Sequence, residues 1–340
     1  MKQYLLPNQG VFYKANLHCH TTMSDGHMTP EETKQAYMDQ GYSIVAFTDH
    51  EILFPQNHLT DDNFLALNGV EHDIDEKERF DRTGKKCHFC CIALESDNHL
   101  TPCPDESKFQ KFQGNLDNVH LYKPQPGTEF FPRAYDPKTI SALMQEIKKY
   151  GFFITYNHPD WSLEEQDIYC EYNGMDAMEI CNYGCIALGY DEYNPKAYDA
   201  LLRRGRRIYC LANDDNHNKP GRNNDSFGGW TVIKADKLEY RTITKALEAG
   251  HFYASQGPEI YDLWIEDGTV HITCSPAARI MFTTGQRHRQ VTFAPKDEPI
   301  TAACFALDPQ DIYFRVTVED HNGKPANTNA YFLDTLTLSV

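Results

Sequence analysis

Short apolar runs alternate with helix signals along the first three quarters of the chain. The apolar runs predict buried strands at 11–17, 43–47, 65–70, 87–94, 152–155 and 207–212. Helices are predicted where a capping residue precedes proline, at Thr29-Pro30, Asp136-Pro137 and Asn194-Pro195, and they end at Gly41, Gly151 and Gly205. Because strands that alternate with helices are typical of a parallel sheet or barrel, this part of the chain is predicted to be α/β.

From about residue 257 the pattern changes to short runs that alternate between apolar and polar residues. The runs 260–265 and 270–274 flank Asp267-Gly268, which is a β-hairpin signal. Further short runs follow at 279–282, 290–293 and 311–318. We therefore expect two domains: an α/β domain over residues 1–256 and a small all-β, sandwich-like domain over residues 257–340.

Residues 95–133 interrupt the α/β pattern. This stretch is rich in proline and polar residues and is long for a connecting loop. We predict that it is a loop insertion over one end of the α/β domain, in the position of a lid.

Histidines and carboxylates cluster at the ends of the predicted strands. His18 and His20 flank Cys19, so both imidazoles face the same side of a strand end, and Asp25 lies in the turn that follows. The residues that follow other strands are His50, Glu71, His158, Asp215 and His217. His88 fits this placement least, because it lies near the start of its strand.

Each of these residues alone has an ordinary structural interpretation, but their joint placement at strand ends is unusual. The carboxyl-terminal edge is where active sites of α/β barrels lie. Imidazole and carboxylate ligands suit zinc, manganese or iron. The candidate ligands are His18, His20, Asp25, His50, Glu71, His88, His158, Asp215 and His217. Since nine ligands are too many for one ion, we predict two or three divalent metal ions.

Composition and charge narrow the possible partners. The hydrophobic fraction of 41% is sufficient for a large core, and the net charge of −17 argues against a general nucleic-acid surface. Most of the 11 cysteines fall in apolar runs and are expected to be buried free thiols. Without a membrane-spanning run or a signal peptide, the chain is expected to be cytoplasmic and to have no membrane partner.

The order and spacing of the motifs resemble the PHP family, named for polymerase and histidinol phosphatase domains. The matching motifs are Leu17-His18-Cys19-His20, Ser24-Asp25-Gly26, Thr48-Asp49-His50, Gly69-Val70-Glu71, the strand with His88, Asn157-His158-Pro159 and Asp215-Asn216-His217. They span residues 15–233. Two features depart from the family pattern: Asn213-Asp214 stands where Gly-Ser is common, and the insertion is unusual.

The resemblance implies a distorted (β/α)7 barrel with three metals at its carboxyl-terminal edge. It implies one site with His18, His20, Glu71 and Asp215, a second with Glu71, His88 and His158, and a third with Asp25, His50 and His217. The segment 250–259 and the β domain resemble those of PHP phosphoesterases that carry a C-terminal β domain.

The activity that we expect is metal-dependent phosphoester hydrolysis, in which a metal-bridging hydroxide attacks phosphorus. The expected substrate is a small phosphorylated molecule or a short nucleotide, and not a long nucleic acid. Asp49 would either orient a ligand histidine or cap the next turn, and Arg222 with Lys219 would either hold a phosphate or be solvated. Two alternatives remain open: an amidohydrolase-like metallohydrolase, and a non-enzymatic, metal-stabilised binding module.

Overall fold

The computed structural model describes residues 2–77, 82–125, 130–221, 224–296 and 298–336. The strands are β1 (Lys2–Tyr4), β2 (Val11–Asn16), β3 (Ile44–Phe47), β4 (Leu65–Asp75), β5 (Lys86–Ala93), β6 (Phe152–Tyr156), β7 (Ala177–Asn182), β8 (Tyr209–Asn213), β9 (Trp230–Ala235), β10 (Phe252–Ser255), β11 (Ile260–Glu266), β12 (Thr269–Ala277), β13 (Arg279–Thr284), β14 (Arg289–Phe293), β15 (Ile300–Ala306), β16 (Tyr313–Glu319), β17 (Pro325–Thr328) and β18 (Tyr331–Phe332). The helices are α1 (Pro30–Asp39), α2 (Glu106–Phe109), α3 (Gln113–Asn118), α4 (Pro137–Lys148), α5 (Gln166–Tyr169), α6 (Tyr183–Ala187), α7 (Pro195–Arg203) and α8 (Tyr240–Glu248). The chain is thus mixed α/β, with an all-β region after α8, as the sequence pattern predicts.

A wide sheet organises the α/β part of the molecule. Its strand order is β14-β13-β16-β17-β10-β9-β2-β3-β4-β5-β6-β7-β8, with β18 paired to β16. Strands β2 to β8 thus follow one another in the sheet in the same order as in the chain. A parallel bridge between Cys19 and Asn216 brings the segment after β2 next to the segment after β8.

Strand β5 runs antiparallel to both of its neighbours, β4 and β6, whereas the other neighbours within β2–β8 are parallel. The first residues of β5 therefore lie at the same sheet edge as the carboxyl ends of the parallel strands. His88 is the third residue of β5 and pairs with Asp73 on β4. Its position near the start of its strand is thus what places it at the edge that carries the other histidines.

The helices begin at the predicted capping residues and pack on the sheet through apolar faces. Thr29 accepts a hydrogen bond from the backbone N–H of Glu32, whose carboxylate accepts one from Thr29 N in return. On α4, Ile140 and Leu143 are buried in a core that also contains Ile154 of β6. This packing fixes the strands whose ends carry the candidate ligands.

The all-β region consists of two facing sheets that share an apolar core. The smaller sheet has the order β1-β11-β12-β15, and its partner face comes from β13, β16 and β17 of the wide sheet. Backbone hydrogen bonds join strands that precede residue 257 to strands that follow it, because β1 pairs with β11 and β10 pairs with β17. A buried ion pair also joins the two regions, since Arg315 donates to both oxygens of Asp199 on α7, each at 2.9 Å.

The predicted insertion is attached to the loop that follows β3. Phe109 of α2 packs in a small apolar cluster with Ile52 and Phe54. Near the other end, Arg133 donates to both carboxylate oxygens of Glu51, at 2.8 and 2.7 Å. The described parts of the insertion therefore lie against the segment that leads away from β3.

The cysteines are all free thiols, and ten of them are buried as expected. Cys304 differs from the expectation because it is exposed, on the edge strand β15 of the smaller sheet. Within the described residues, no helix combines the length and the apolar character that a membrane crossing requires.

Candidate metal centre

The segments after β2 and β8 are joined by backbone hydrogen bonds that bring four candidate ligands together. His20 N donates to Asn216 O at 3.1 Å, and Asp215 N donates to His18 O at 3.0 Å. Asp215 and His158 have positive φ angles, 53° and 24°. A non-glycine residue in that region costs about 1–3 kcal/mol, and such strain is common at functional sites. The strain is held here by the surrounding hydrogen bonds.

Glu71 lies at the middle of the cluster and faces five imidazoles. Its Oε1 lies 3.2 Å from His18 Nε2 and 3.4 Å from both His88 Nδ1 and His158 Nε2. Its Oε2 lies 3.2 Å from His20 Nε2 and from His50 Nδ1. The Glu71 carboxylate is therefore in a position to act as a ligand shared by two neighbouring ions. This is the bridging role that the resemblance implies for Glu71.

Two further carboxylates extend the cluster to either side. Asp215 Oδ1 lies 3.1 Å from the Nε2 atoms of both His18 and His20. Asp25 Oδ1 lies 3.6 Å from His217 Nε2 and 3.8 Å from His50 Nε2. All nine predicted ligands thus lie in one continuous cluster, although their assignment to individual ions stays a prediction.

The cluster divides into two groups that differ in exposure. We call His18, Glu71, His88, His158 and Asp215 the inner group, and His20, Asp25, His50 and His217 the outer group. In the inner group no side chain is more than 10% exposed, whereas Asp25 and His217 of the outer group are 32% and 33% exposed. The outer group therefore reaches solvent through Asp25 and His217, whereas its other two members, His20 and His50, are buried like the inner group.

The donor atoms lie close enough together to bind a shared cation. In the outer group, and in the set Glu71, His88 and His158, one ligand atom per residue lies within 4.8 Å of all the others. Among the described residues, the buried atoms His20 Nδ1, His50 Nδ1 and Asp215 Oδ1 have no hydrogen bond of acceptable geometry. Since buried polar atoms are normally paired, these residues fit a metal centre.

Charge inside the cluster is unusually concentrated. Burial acts to raise the pKa of Glu71, but the surrounding histidines, led by His18, hold this pKa well below its usual value. Burial acts to lower the pKa of His18, but the neighbouring groups, led by Asp215, raise it well above its usual value. At His50 of the outer group burial prevails and lowers the pKa to about 4. The inner carboxylates therefore stay ionised and attract positive charge.

Glu179 is part of the site and is absent from the candidates drawn from the sequence. Its Oε1 lies 2.9 Å from His18 Nδ1, and Asn213 and Asn182 donate to its two oxygens. A carboxylate on the distal nitrogen of a ligand histidine fixes the orientation and tautomer of the ring. The only signal in the sequence is a charged residue in the middle of the apolar strand β7.

Asp73 plays a similar part beside His88. The Asp73 carboxylate contacts His88 Nε2, while His88 Nδ1 faces Glu71. Burial acts to lower the pKa of His88, but the neighbouring carboxylates, led by Asp73, raise it to about 10. The role of Asp73 could not be predicted from the sequence, because it depends on the pairing of β4 with β5, which brings Asp73 opposite His88.

The structure describes Asp49 but not Arg222. Asp49 Oδ1 accepts hydrogen bonds from Thr21 N and Ser24 Oγ at 2.8 and 2.7 Å, and its Oδ2 accepts one from Thr21 Oγ1 at 2.8 Å. Asp49 thereby holds the turn that leads to Asp25. Arg222 lies outside the described residues.

A cleft of about 770 Å³ opens onto the cluster. Two aromatic residues, Phe112 of the insertion and Trp161, line it together with Lys86 and Lys219. The Trp161 ring lies 5.2 Å from the ring of His88. The cleft therefore combines aromatic walls, two lysines and the candidate ligands.

Comparison with known proteins gives one family match. The sequence model of the PHP domain matches residues 16–209, more than half of the chain. A two-domain protein from Bacteroides vulgatus ATCC 8482, containing a predicted PHP-like metal-dependent phosphoesterase, is 16% identical over 97% of this chain and 98% of that one, with a TM-score of 0.44. An amidohydrolase from Chromobacterium violaceum, with bound sulfate and no metal, is 15% identical over 70% of this chain and 96% of that one, with a TM-score of 0.40. No curated protein matches the chain.

Proposed function

The chain belongs to the PHP domain family, and on that premise we propose that it is a metal-dependent phosphoesterase that hydrolyses a small phosphomonoester or a short nucleotide. The observation that carries the proposal is the position of Glu71, whose carboxylate lies within 3.4 Å of five imidazoles. Burying so many imidazoles and carboxylates together costs free energy unless each group is paired. A purely structural role therefore does not explain this cluster.

The proposed centre is held by the inner and outer groups and would bind two or three ions of zinc, manganese or iron. When bound, such ions activate water and neutralise the charge that develops on a phosphoryl group. The protein's own part is to hold the donors: Glu179 orients His18, Asp73 orients His88, and Asp49 holds the turn before Asp25.

We also propose that β2 to β8 form the distorted (β/α)7 barrel that the family resemblance implies. The support is the strand order and the bridge between Cys19 and Asn216, which brings the first and last of these strands together. In this arrangement the ligands lie at one rim, where the side chains of several strands converge.

The dimensions and charge of the cleft support a small substrate. A volume of about 770 Å³ is suited to a molecule of nucleotide size. Lys86 and Lys219 line the cleft and could contact phosphate oxygens, although Lys86 is also paired with Asp75. With a net charge of −17, the chain is not expected to bind a long nucleic acid or a membrane.

The direct test is phosphate release from an aryl phosphate and from mononucleotides by the full chain, after metal removal and after addition of manganese or zinc. We expect activity only with metal, and a mononucleotide preferred over a long single strand. His20→Ala should abolish turnover, whereas the matched variant His271→Ala, in the smaller sheet, should keep it. A chain that binds metal but releases no phosphate would contradict the proposal, and amide hydrolysis would then be the next reaction to assay.

A further inference from the structure

The insertion contacts both loops that carry the exposed side of the metal centre. We call residues 112–115, at the start of α3, the clamp segment. The Phe112 ring stacks on the ring of His50, with centroids 4.1 Å apart and an angle of 12° between the planes. Asn115 Nδ2 donates to His50 O at 2.8 Å, and the side chains of Phe112 and Asn115 are both buried. His50 is therefore held at its ring and at its backbone.

The same segment is packed against the loop that precedes Asp25. Gly114 N donates to Ser24 O at 2.8 Å. A Cβ atom on Gly114 would overlap the carbonyl oxygens of Thr22 and Ser24, so only glycine allows this approach. The clamp segment therefore fixes the position of the Asp25 loop relative to the His50 loop.

Neither of these two ligands lies on a strand, so the position of each depends on the contacts that its loop makes. Asp25 lies in a turn nine residues beyond β2, and His50 lies three residues beyond β3. Their ligand atoms, Asp25 Oδ1 and His50 Nε2, lie 3.8 Å apart. Two links set this separation: Asp49 joins the His50 loop directly to Ser24 of the Asp25 loop, and the clamp segment contacts both loops.

We propose that the insertion is a positioning element of the outer metal site: the clamp segment, together with Asp49, sets the separation of Asp25 and His50 and thereby the affinity of the outer group for its ion. The inner group, built on strands and on the residues directly beyond them, does not depend on it. The inference rests on the proposed metal centre but concerns metal affinity rather than phosphate release. This positioning role differs from that of a movable lid, because a lid would have to break these contacts when it opens.

The experiment compares metal binding by the full chain and by Phe112→Leu, Asn115→Ala and Gly114→Ala. Phe112→Leu keeps an apolar side chain but removes the flat ring. Leu116→Ala is the matched control, because Leu116 lies on the same helix and is 44% exposed. Metal content is measured after dialysis at a fixed free zinc concentration, the affinity by competition with a chromophoric chelator, and the fold by thermal unfolding.

We expect one ion per chain to bind about 10–100-fold more weakly in the clamp variants, as is typical when residues that support ligands are removed. The remaining ions and the Leu116→Ala variant should bind as the unaltered chain does. When the outer site is already disabled by His217→Ala, Phe112→Leu should cause no further loss.

Two results would overturn the inference. Clamp variants that bind every ion with unchanged affinity would show that the insertion does not position the site. Variants that lose all ions together, or that unfold while Leu116→Ala does not, would show that the insertion supports the whole fold and not the outer group. A chain that binds metals in the expected way but releases no phosphate would overturn the proposed function and leave this inference standing.

Discussion

The inner and outer groups of the metal centre are built in different ways. Among the inner ligands, Glu71 and His88 lie within strands, and their positions follow from backbone pairing. The other three each lie two residues beyond the end of a strand: His18, His158 and Asp215. Outer ligands such as Asp25 and His217 lie in loops, and each loop is held by a separate side chain, including Asp49 and Asp225. The comparison shows that one cluster can combine ligands fixed by the sheet with ligands whose loops are held by individual side-chain hydrogen bonds.

The largest effect is expected from Glu71→Gln, because this substitution removes the charge that faces imidazoles of both groups. We expect turnover to fall by more than about 100-fold, beyond the loss that is typical for residues behind the ligands. Metal content, measured by mass spectrometry, should fall by more than one ion per chain. A variant that keeps all of its metal would contradict the bridging position of Glu71.

A smaller effect is expected from Glu179→Gln, because the amide still contacts His18 but cannot supply a negative charge. The expected loss is about 10–100-fold in metal affinity or turnover. Glu165→Gln serves as the control, since Glu165 is an exposed residue before α5. An unchanged affinity in Glu179→Gln would mean that the carboxylate is only structural.

Substitution of the exposed outer ligand His217 should separate the two groups, whereas His20 also faces Glu71 and Asp215 of the inner group. His217→Ala is expected to cost one ion per chain and to leave the ions of the inner group bound, so its effect on turnover should be smaller than that of Glu71→Gln. His27→Ala, which also removes an imidazole from the cleft wall, is the matched control and should retain full metal content. Loss of every ion in His217→Ala would show that the two groups bind metal as one unit.

The smallest effect is expected from Asp225→Asn. Asp225 accepts the backbone N–H of His217 at 2.9 Å, and asparagine can still accept that hydrogen bond without the charge. A loss of about 0.5–1.5 kcal/mol corresponds to roughly 2–10-fold weaker binding of the outer ion. Calorimetric zinc titration of both chains measures it, and a loss as large as that of His217→Ala would make Asp225 a ligand itself.

Much of the fold could be predicted because local signals were strong. The capping box at Thr29 and the glycines that end helices appear where the structure begins and ends these elements. Most ligands at strand ends could be recognised for the same reason, but the predicted end of β4 at residue 70 was wrong: the strand runs on to Asp75, so Glu71 lies within it. The family resemblance drawn from these motifs is confirmed by the match over residues 16–209.

Features that depend on distant pairing could not be predicted. The direction of β5, which places His88 at the ligand edge, is set by its pairing with β4 and β6. Glu179 belongs to no motif, and its role follows only from its distance to His18. The clamp segment was equally hidden, because α3 is short and its contacts are with loops far away in sequence.

The departure of Asn213-Asp214 from the family pattern has a physical explanation in the structure. Asn213 Oδ1 accepts the backbone N–H of Leu17 at 3.0 Å. Asp214 accepts three backbone hydrogen bonds from residues 227–229 and one from the hydroxyl of Tyr37. Both residues therefore tie the end of β8 to its surroundings, and neither belongs to the inner or outer group.

The pairing of β1 with β11 has a consequence for the order of events during synthesis. Lys2 pairs with Glu266, so the first strand of the chain waits for 264 further residues before its partner exists. At ribosomal rates of about 5–20 residues per second, this interval lasts roughly 13–50 s. During that time β2 and the following strands can assemble, while the amino-terminal segment remains available to chaperones. Docking of β1 onto the smaller sheet is then a late step, which follows the assembly of β2 and the strands next to it.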